Sequence, residues 1–279
     1  MNIIEKKTFQ SERSLYNLKN THVRACIFEG IEDGESSLKE ARNIIVSKCI
    51  FSLRYPMWHN KHFTLSSSEF HLSSRAPLWY SSYGDISKVR IESVKALREC
   101  RHINIKDSNM MSEEFGWRCR DISVKDSYLE SFYLFFESRH LDISNISMLG
   151  KYSFQYVSDA IISNSRLDTK DAFWHSNNVT VKNSVIKGEY LGWFSKGLTL
   201  INCKIIGTQP LCYCKNLKLI NCEMIDADLA FEYSDVDADI VGSIKSIKNP
   251  RSGIIRVNEV DEIINTDSIM KSTCRIIIK

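Results

Sequence analysis

Glycine and proline are scarce in this chain, eleven and four among 279 residues. No glycine-rich phosphate loop and no nucleophile elbow can be picked out of it. No apolar stretch approaches the length that spans a membrane, and Met1–Phe9 has no apolar segment of signal-peptide length, so a soluble cytoplasmic protein is expected. Charge of one sign is also missing. The formal net charge is +3, with Lys and Arg dispersed rather than gathered in a run, which argues against a nucleic-acid partner as well as a membrane one. The nine cysteines are odd in number and irregular in spacing, so they do not form a disulfide framework. Cys212 and Cys214 resemble half a metal site, yet no second Cys or His pair stands at zinc-ligand spacing, so neither metal nor another cofactor is expected. Cys203 and Cys222 share a column otherwise held mostly by serine, as small buried residues would.

What the chain does contain is a period. From residue 103 to residue 236 it repeats every nineteen residues, most visibly in a polar column: Asp107, Asp126, Asn145, Asn164, Asn183, Asn202 and Asn221. Two residues earlier runs an apolar column from Ile105 through Ile143 to Leu219, and two before that another from Ile103 through Leu141 to Leu217. A third, from Met110 through Met148 to Met224, follows three residues after the Asx. A fixed period of this length marks a solenoid, in which each repeat buries its apolar face by stacking on its neighbours.

Within a unit such as Val179-Thr180-Val181-Lys182-Asn183 the apolar residues alternate, which is strand periodicity. A hexapeptide rhythm is absent, and nineteen residues is short for the strand plus helix of a leucine-rich repeat. The expectation is an all-β, single-stranded right-handed parallel β-helix of about eleven coils of 19–20 residues, stacked at about 4.8 Å. The Asx column falls at a tight turn, where Asx tolerates a left-handed backbone and can hydrogen-bond its stacked equivalents. One domain is expected, with an N-terminal coil at 15–28, an insertion at 29–41, regular coils at 42–240 and C-terminal coils with a cap at 241–279. In the insertion, Ser37-Leu38-Lys39-Glu40 has capping-box spacing, which predicts a short helix or ordered loop.

The second half of each coil is expected to form another sheet. Strand alternation places the column Trp117, Phe136, Gln155, Trp174, Trp193, Cys212 and Phe231 in the core. It turns two columns outward: one with Glu114, Tyr133, Tyr152, Asp171, Tyr190, Gln209 and Asp228, another with Arg118, Glu137, Tyr156, His175, Phe194, Tyr213 and Glu232. Tyrosines interleaved with carboxylates suit pyranose rings, which have apolar faces and hydroxyl edges. Arg118 with Glu137, and Lys170 with Glu189, are also placed to form ladder ion pairs.

Catalysis is less well supplied. Asp171 and Asp228 are three rungs apart, about 14 Å, and Asp228 and Glu232 about 13 Å along one strand, neither matching a glycosidase pair. Glu137 and His175, two rungs or about 9.6 Å apart, could serve as acid and base.

Several stretches carry a more particular likeness: Gly34-Glu35-Ser36-Ser37-Leu38, Arg54-Tyr55-Pro56-Met57-Trp58, Lys170-Asp171-Ala172-Phe173-Trp174, Gly188-Glu189-Tyr190-Leu191-Gly192-Trp193, Gly207-Thr208-Gln209-Pro210-Leu211-Cys212-Tyr213-Cys214, Asp228-Leu229-Ala230-Phe231-Glu232 and Ser246-Ile247-Lys248-Asn249-Pro250. Together they resemble the bacterial domain-of-unknown-function 3737 family over nearly the whole chain. The resemblance implies a right-handed parallel β-helix and no established activity.

The candidate site is therefore the strip where these motifs fall. Asp171, His175, Glu137 and Glu232 are the candidate catalytic groups, and Glu114, Arg118, Tyr133, Tyr152, Glu189, Tyr190, Gln209 and Asp228 the candidate ligand-binding ones. A carbohydrate or other polyhydroxylated ligand is the expected partner, with lyase, hydrolase or isomerase chemistry left open. The alternative is a non-enzymatic scaffold or protein-interaction solenoid.

Overall fold

A computed structural model describes residues 1–30 and 34–279. It is an all-β parallel β-solenoid of about fourteen turns. Its contacts divide the chain into two units, Met1–Asp142 and Ile143–Lys279.

In the first unit, successive coils pair in parallel and in register. Arg42 lies opposite Lys61, Lys61 opposite Ser82, Ser82 opposite Arg101 and Arg101 opposite Arg120. Inside, Phe28 stacks on Phe51 at 4.7 Å and Phe51 on Phe70 at 4.5 Å, all fully buried. One coil precedes those expected, formed by Asn2–Glu5 and Thr8–Phe9, with Lys6 at the turn. That is one reason the turns outnumber the eleven read from the sequence. The Ser37–Glu40 segment is turn rather than helix, with positive φ at Ser36 and Glu40. Its amides join the next coil, Ser36 to Arg54 and Leu38 to Pro56 at 2.8 Å each, so this segment is the ordinary second half of a coil. Residues 31–33 of the expected insertion lie outside the described residues.

In the second unit the period holds from Ser158 opposite Asn177 to Leu217 opposite Val236. The C-terminal coils then depart from it: Asp235 pairs with Ser252 and Ile254 with Arg275. The Asx turn is as anticipated. Asn164, Asn183, Asn202 and Asn221 all have φ of 51°. Their amides form a ladder: Asn183 donates to Asn164 at 3.4 Å, Asn202 to Asn183 at 3.1 Å and Asn221 to Asn202 at 2.9 Å. The next column works inside the turn. Ser165 Oγ accepts the Ile146 amide and donates to the Ser163 carbonyl, and Cys203 and Cys222 lie buried at the equivalent place.

The second half of each coil departs from strand alternation. Asp171, Phe173 and His175 have φ of 54°, 60° and 54°, so a left-handed residue recurs at every second position. Asp171 and His175 donate their amides forward to Glu189 and Trp193, while Phe173 donates backward to Ser153, each at 2.9 Å. Side chains here come in same-side pairs, Ala172 with Phe173 inside and Trp174 with His175 towards solvent. The period-two rule applies to extended backbone, and this arc is not extended.

Candidate functional site

The altered arc corrects two expectations. The tryptophans of the expected core column are not core: whereas Cys212 and Phe231 at its end are buried, Trp117, Trp174 and Trp193 are half-buried. Each lies across the rim of the next coil and donates its indole N–H to a main-chain carbonyl, Trp117 to Tyr133, Trp174 to Tyr190 and Trp193 to Gln209, at 2.8, 2.6 and 2.8 Å. Gln155 does the same to Asp171 at 3.1 Å. The true core column is one residue earlier, where Phe154 stacks on Phe173 at 5.1 Å. Asp171 is the other correction: it is buried, at 5% exposure, rather than facing water. Burial, with a smaller contribution from Glu189, pushes its carboxyl above the usual value against the opposing pull of Lys170 and Lys151.

On the second unit the outward column is a continuous stack of rings. Tyr156 lies 4.9 Å from His175, His175 5.0 Å from Phe194 and Phe194 4.8 Å from Tyr213, nearly parallel throughout. Tyr156 and Phe194 are 49% and 44% exposed, so this ladder is surface. Beside it Trp174 stacks on Trp193 at 5.4 Å, and Tyr190 meets Trp193 edge-on. The carboxylates near the ladder are engaged. Glu189 pairs with Lys170 at 3.0 Å, and the Lys170 ammonium lies 5.3 Å from the Tyr190 ring centre. Glu232 pairs with Lys248 at 3.0 Å and accepts from the Tyr213 hydroxyl at 3.4 Å. Burial and that carboxylate together raise the Tyr213 phenol. Asp228 accepts from the Thr208 hydroxyl. Gln209 and Tyr152 are half-buried at the rim, Tyr152 with the Lys151 ammonium 5.5 Å from its ring centre.

The remaining candidates belong to the first unit. Arg118 and Glu137 form the expected ladder ion pair at 2.7 Å. Glu114 and Tyr133 pair across short strands, Glu114–Phe115 and Tyr133–Leu134. The structure thus gathers Tyr152, Asp171, His175, Glu189, Tyr190, Gln209, Asp228 and Glu232 on one unit and leaves Glu114, Arg118, Tyr133 and Glu137 on the other.

The sequence reading missed a second outward ring column, also on the first unit. His62 stacks on Tyr83 at 4.8 Å and Tyr83 on His102 at 4.7 Å. The column continues to Asp121, which lies 3.5 Å from His102 Nδ1 and 2.8 Å from His140 Nδ1. The signal was present in the same period, one residue before the apolar column of Ile103 and Ile122.

Parallel pairing from coil to coil, inward aromatic stacks and outward ladders define a parallel β-solenoid with ring-lined surfaces. Among the described residues no group of three or more His, Cys, Asp or Glu could hold a metal ion, and no helix is long and apolar enough to cross a membrane. The chain belongs to the family described as protein of unknown function (DUF3737), whose model matches residues 2–278. No curated protein matches it. Among solved structures it is similar to the tailspike of Escherichia coli bacteriophage HK620, solved with a pentasaccharide. The identity is 8% and the TM-score 0.49, covering 99% of this chain and 72% of that one. It is also similar to PfbA, a surface adhesin of Streptococcus pneumoniae, at 8% identity and TM-score 0.40 over 94% and 81% of the two chains. The A-module of the Azotobacter vinelandii mannuronan C-5 epimerase AlgE4 matches at 7% identity and TM-score 0.38, over 100% and 91%.

Proposed function

We propose that the protein binds a carbohydrate or other polyhydroxylated chain along the ring ladder of its second unit. The observation that carries this reading is the exposed, unbroken stack Tyr156–His175–Phe194–Tyr213 with polar groups beside it. Its faces are occupied by one another, so a ligand meets ring rims: C–H edges interrupted by an imidazole nitrogen and two phenol hydroxyls. A sugar ring offers matching alternation of C–H and hydroxyl. Coil stacking repeats these groups about every 4.8 Å, so a linear chain laid along the ladder meets an equivalent environment at each step. Half-buried Trp174 and Trp193 flank it, and Gln209 and Glu189 lie within the same coils.

Carbohydrate-array binding and thermal shift with the array hits test this. The expected result is a saturable rise in Tm for wild type, weakened at least about fivefold in Kd by Phe194→Ala, the loss of about 1 kcal/mol. Tyr190→Ala, which removes a rim group and leaves the stack, is expected to act in the same direction. An array with no binder, or binding by both folded variants as tight as that of wild type, overturns the reading.

The mutual stacking of the ring faces also favours a second reading, a protein-interaction surface, since a flat aromatic ridge is the kind of surface enriched at interfaces. That reading requires a stoichiometric partner in a native pull-down, lost with Phe194→Ala.

A further inference from the structure

The first unit carries a depression of about 640 Å³ on the outward face of the strands Lys61–Ser66, Ser82–Ser87 and Arg101–Lys106. Two rows of side chains border it. One is the ring column His62, Tyr83 and His102, running into Asp121. The other stands two residues further along each strand: Thr64, Asp85 and Asn104, with Asn104 Nδ2 donating to Asp85 Oδ1 at 2.8 Å. Two residues of strand separate the rows by about 6.6 Å, and neighbouring coils repeat each row at about 4.8 Å.

The lining chemistry narrows the ligand. Tyr83 and Thr64 hydroxyls each donate and accept, Asn104 keeps an acceptor oxygen and an N–H, and Asp85 keeps a second acceptor oxygen. The Asp121 charge is met by Arg120 and its imidazole neighbours, and Lys61 lies 5.6 Å from the Tyr83 ring centre. The lining therefore carries charges of both signs and selects for hydroxyls rather than for a polyanion. The polar rows disfavour an acyl chain. A neutral ring bearing neighbouring hydroxyls, each both donor and acceptor, satisfies both rows at once, and the volume lies within the roughly 300–1,000 Å³ of small-ligand sites.

Asp121 ends the ring column. Burial alone would raise its carboxyl, but the His140 hydrogen bond and the charges of Arg120, His102 and His140 outweigh this and hold it below its usual value. Its anion lies against two imidazoles, at the end of the ring column.

We propose that this depression is a binding site for a short neutral oligosaccharide, whose hydroxyls exchange hydrogen bonds with Tyr83 and Asn104 and donate to Asp85. It stands on the first unit alone and does not rest on the reading of the ring ladder of the second unit.

The chain has seven histidines, and their ring signals separate the two surfaces, because His62 and His102 border the depression while His175 lies in the other ladder. The full-length protein, ¹³C-labelled in its histidine rings, is titrated with maltotetraose, cellotetraose and tetragalacturonate, with signals assigned from single His→Gln variants. A saturable shift of His62 and His102 with at least one neutral tetraose is expected, weakened at least about fivefold by Tyr83→Phe and by Asn104→Ala, each removing one hydrogen bond. Tyr83→Phe keeps the ring stack, so the test survives if Asn104→Ala fails to fold. No movement of His62 and His102 with either neutral tetraose overturns the proposal, as does an unchanged titration in Tyr83→Phe. Tighter binding of the galacturonate overturns the neutral ligand. Movement of His175 alone supports the ladder of the second unit and overturns this site.

Discussion

The residue that shapes this protein is the left-handed one. A non-glycine residue in that conformation costs about 1–2 kcal/mol, and here the cost recurs several times per coil, at residues as bulky as Phe173, His175 and Tyr213. It is offset because these amides donate to the neighbouring coil, as His175 does to Trp193 and Tyr213 to Glu232. In the Asn column the side chains contribute as well. Asn202 both donates to Asn183 and accepts from Asn221. Asn202→Ala is expected to lower stability by about 1–3 kcal/mol, from the ladder bonds and the left-handed backbone together. Asn202→Gly, which removes the backbone penalty, is expected to recover about 1 kcal/mol of that in urea unfolding. A Gly variant no better than Ala contradicts the backbone argument.

Asp171 gives a residue-scale prediction of opposite sign. Its carboxyl is raised in the folded state, so the stability it contributes is fully present below the unfolded value of about 3.9 and is lost as pH rises through the folded one. Once ionised, above the folded value, the buried carboxylate carries its charge at a cost. Asp171→Asn is therefore expected to raise Tm at pH 7, by a degree or two in order of magnitude, and to make little difference at pH 3. A lower Tm at pH 7 would show that the ionised form is held by its neighbours more strongly than burial opposes it.

At the scale of elements, the serine column shows how a coil closes its turn. Ser165 Oγ takes the Ile146 amide, and Ser184 Oγ takes the Ser165 amide. Ser165→Ala leaves a buried N–H without its acceptor, an expected loss of about 1–3 kcal/mol of unfolding free energy measured in urea. Ser165→Cys is expected to cost less, because Cys203 occupies the same place and bonds the Ile201 carbonyl at 3.3 Å. The strands were legible in the sequence because extended backbone alternates, and the columns of Ile103, Ile105 and Met110 are buried as that alternation requires. The arc was not. No propensity rule places Phe173 or Phe194 in a left-handed backbone, so the rule was carried one element too far and put the tryptophans inside. The ladder His62–Tyr83–His102 was within reach of the period and was overlooked because its residues differ in type.

For the whole molecule, nearest-neighbour stacking predicts that coils are exchangeable units. In the second unit Asn177 lies opposite Lys196, so deleting residues 177–195 removes one register-true coil. The shortened protein is expected to fold with a β-type circular dichroism spectrum and a modestly lower Tm. Deleting residues 177–186 alone breaks the register and is expected to give insoluble protein. Equal behaviour of the two would contradict the one-dimensional stacking.

The period by itself determined the solenoid, the burial of the strand columns and the Asn ladder, because identical residues at fixed spacing can repeat only by stacking. The tertiary structure decided the rest. Main-chain hydrogen bonds to both neighbouring coils hold a left-handed residue at every second position of the arc, and no single repeat contains those partners. That backbone buries Asp171, brings Trp174 and Trp193 to the rim, and lines up His175, Phe194 and Tyr213 as a surface.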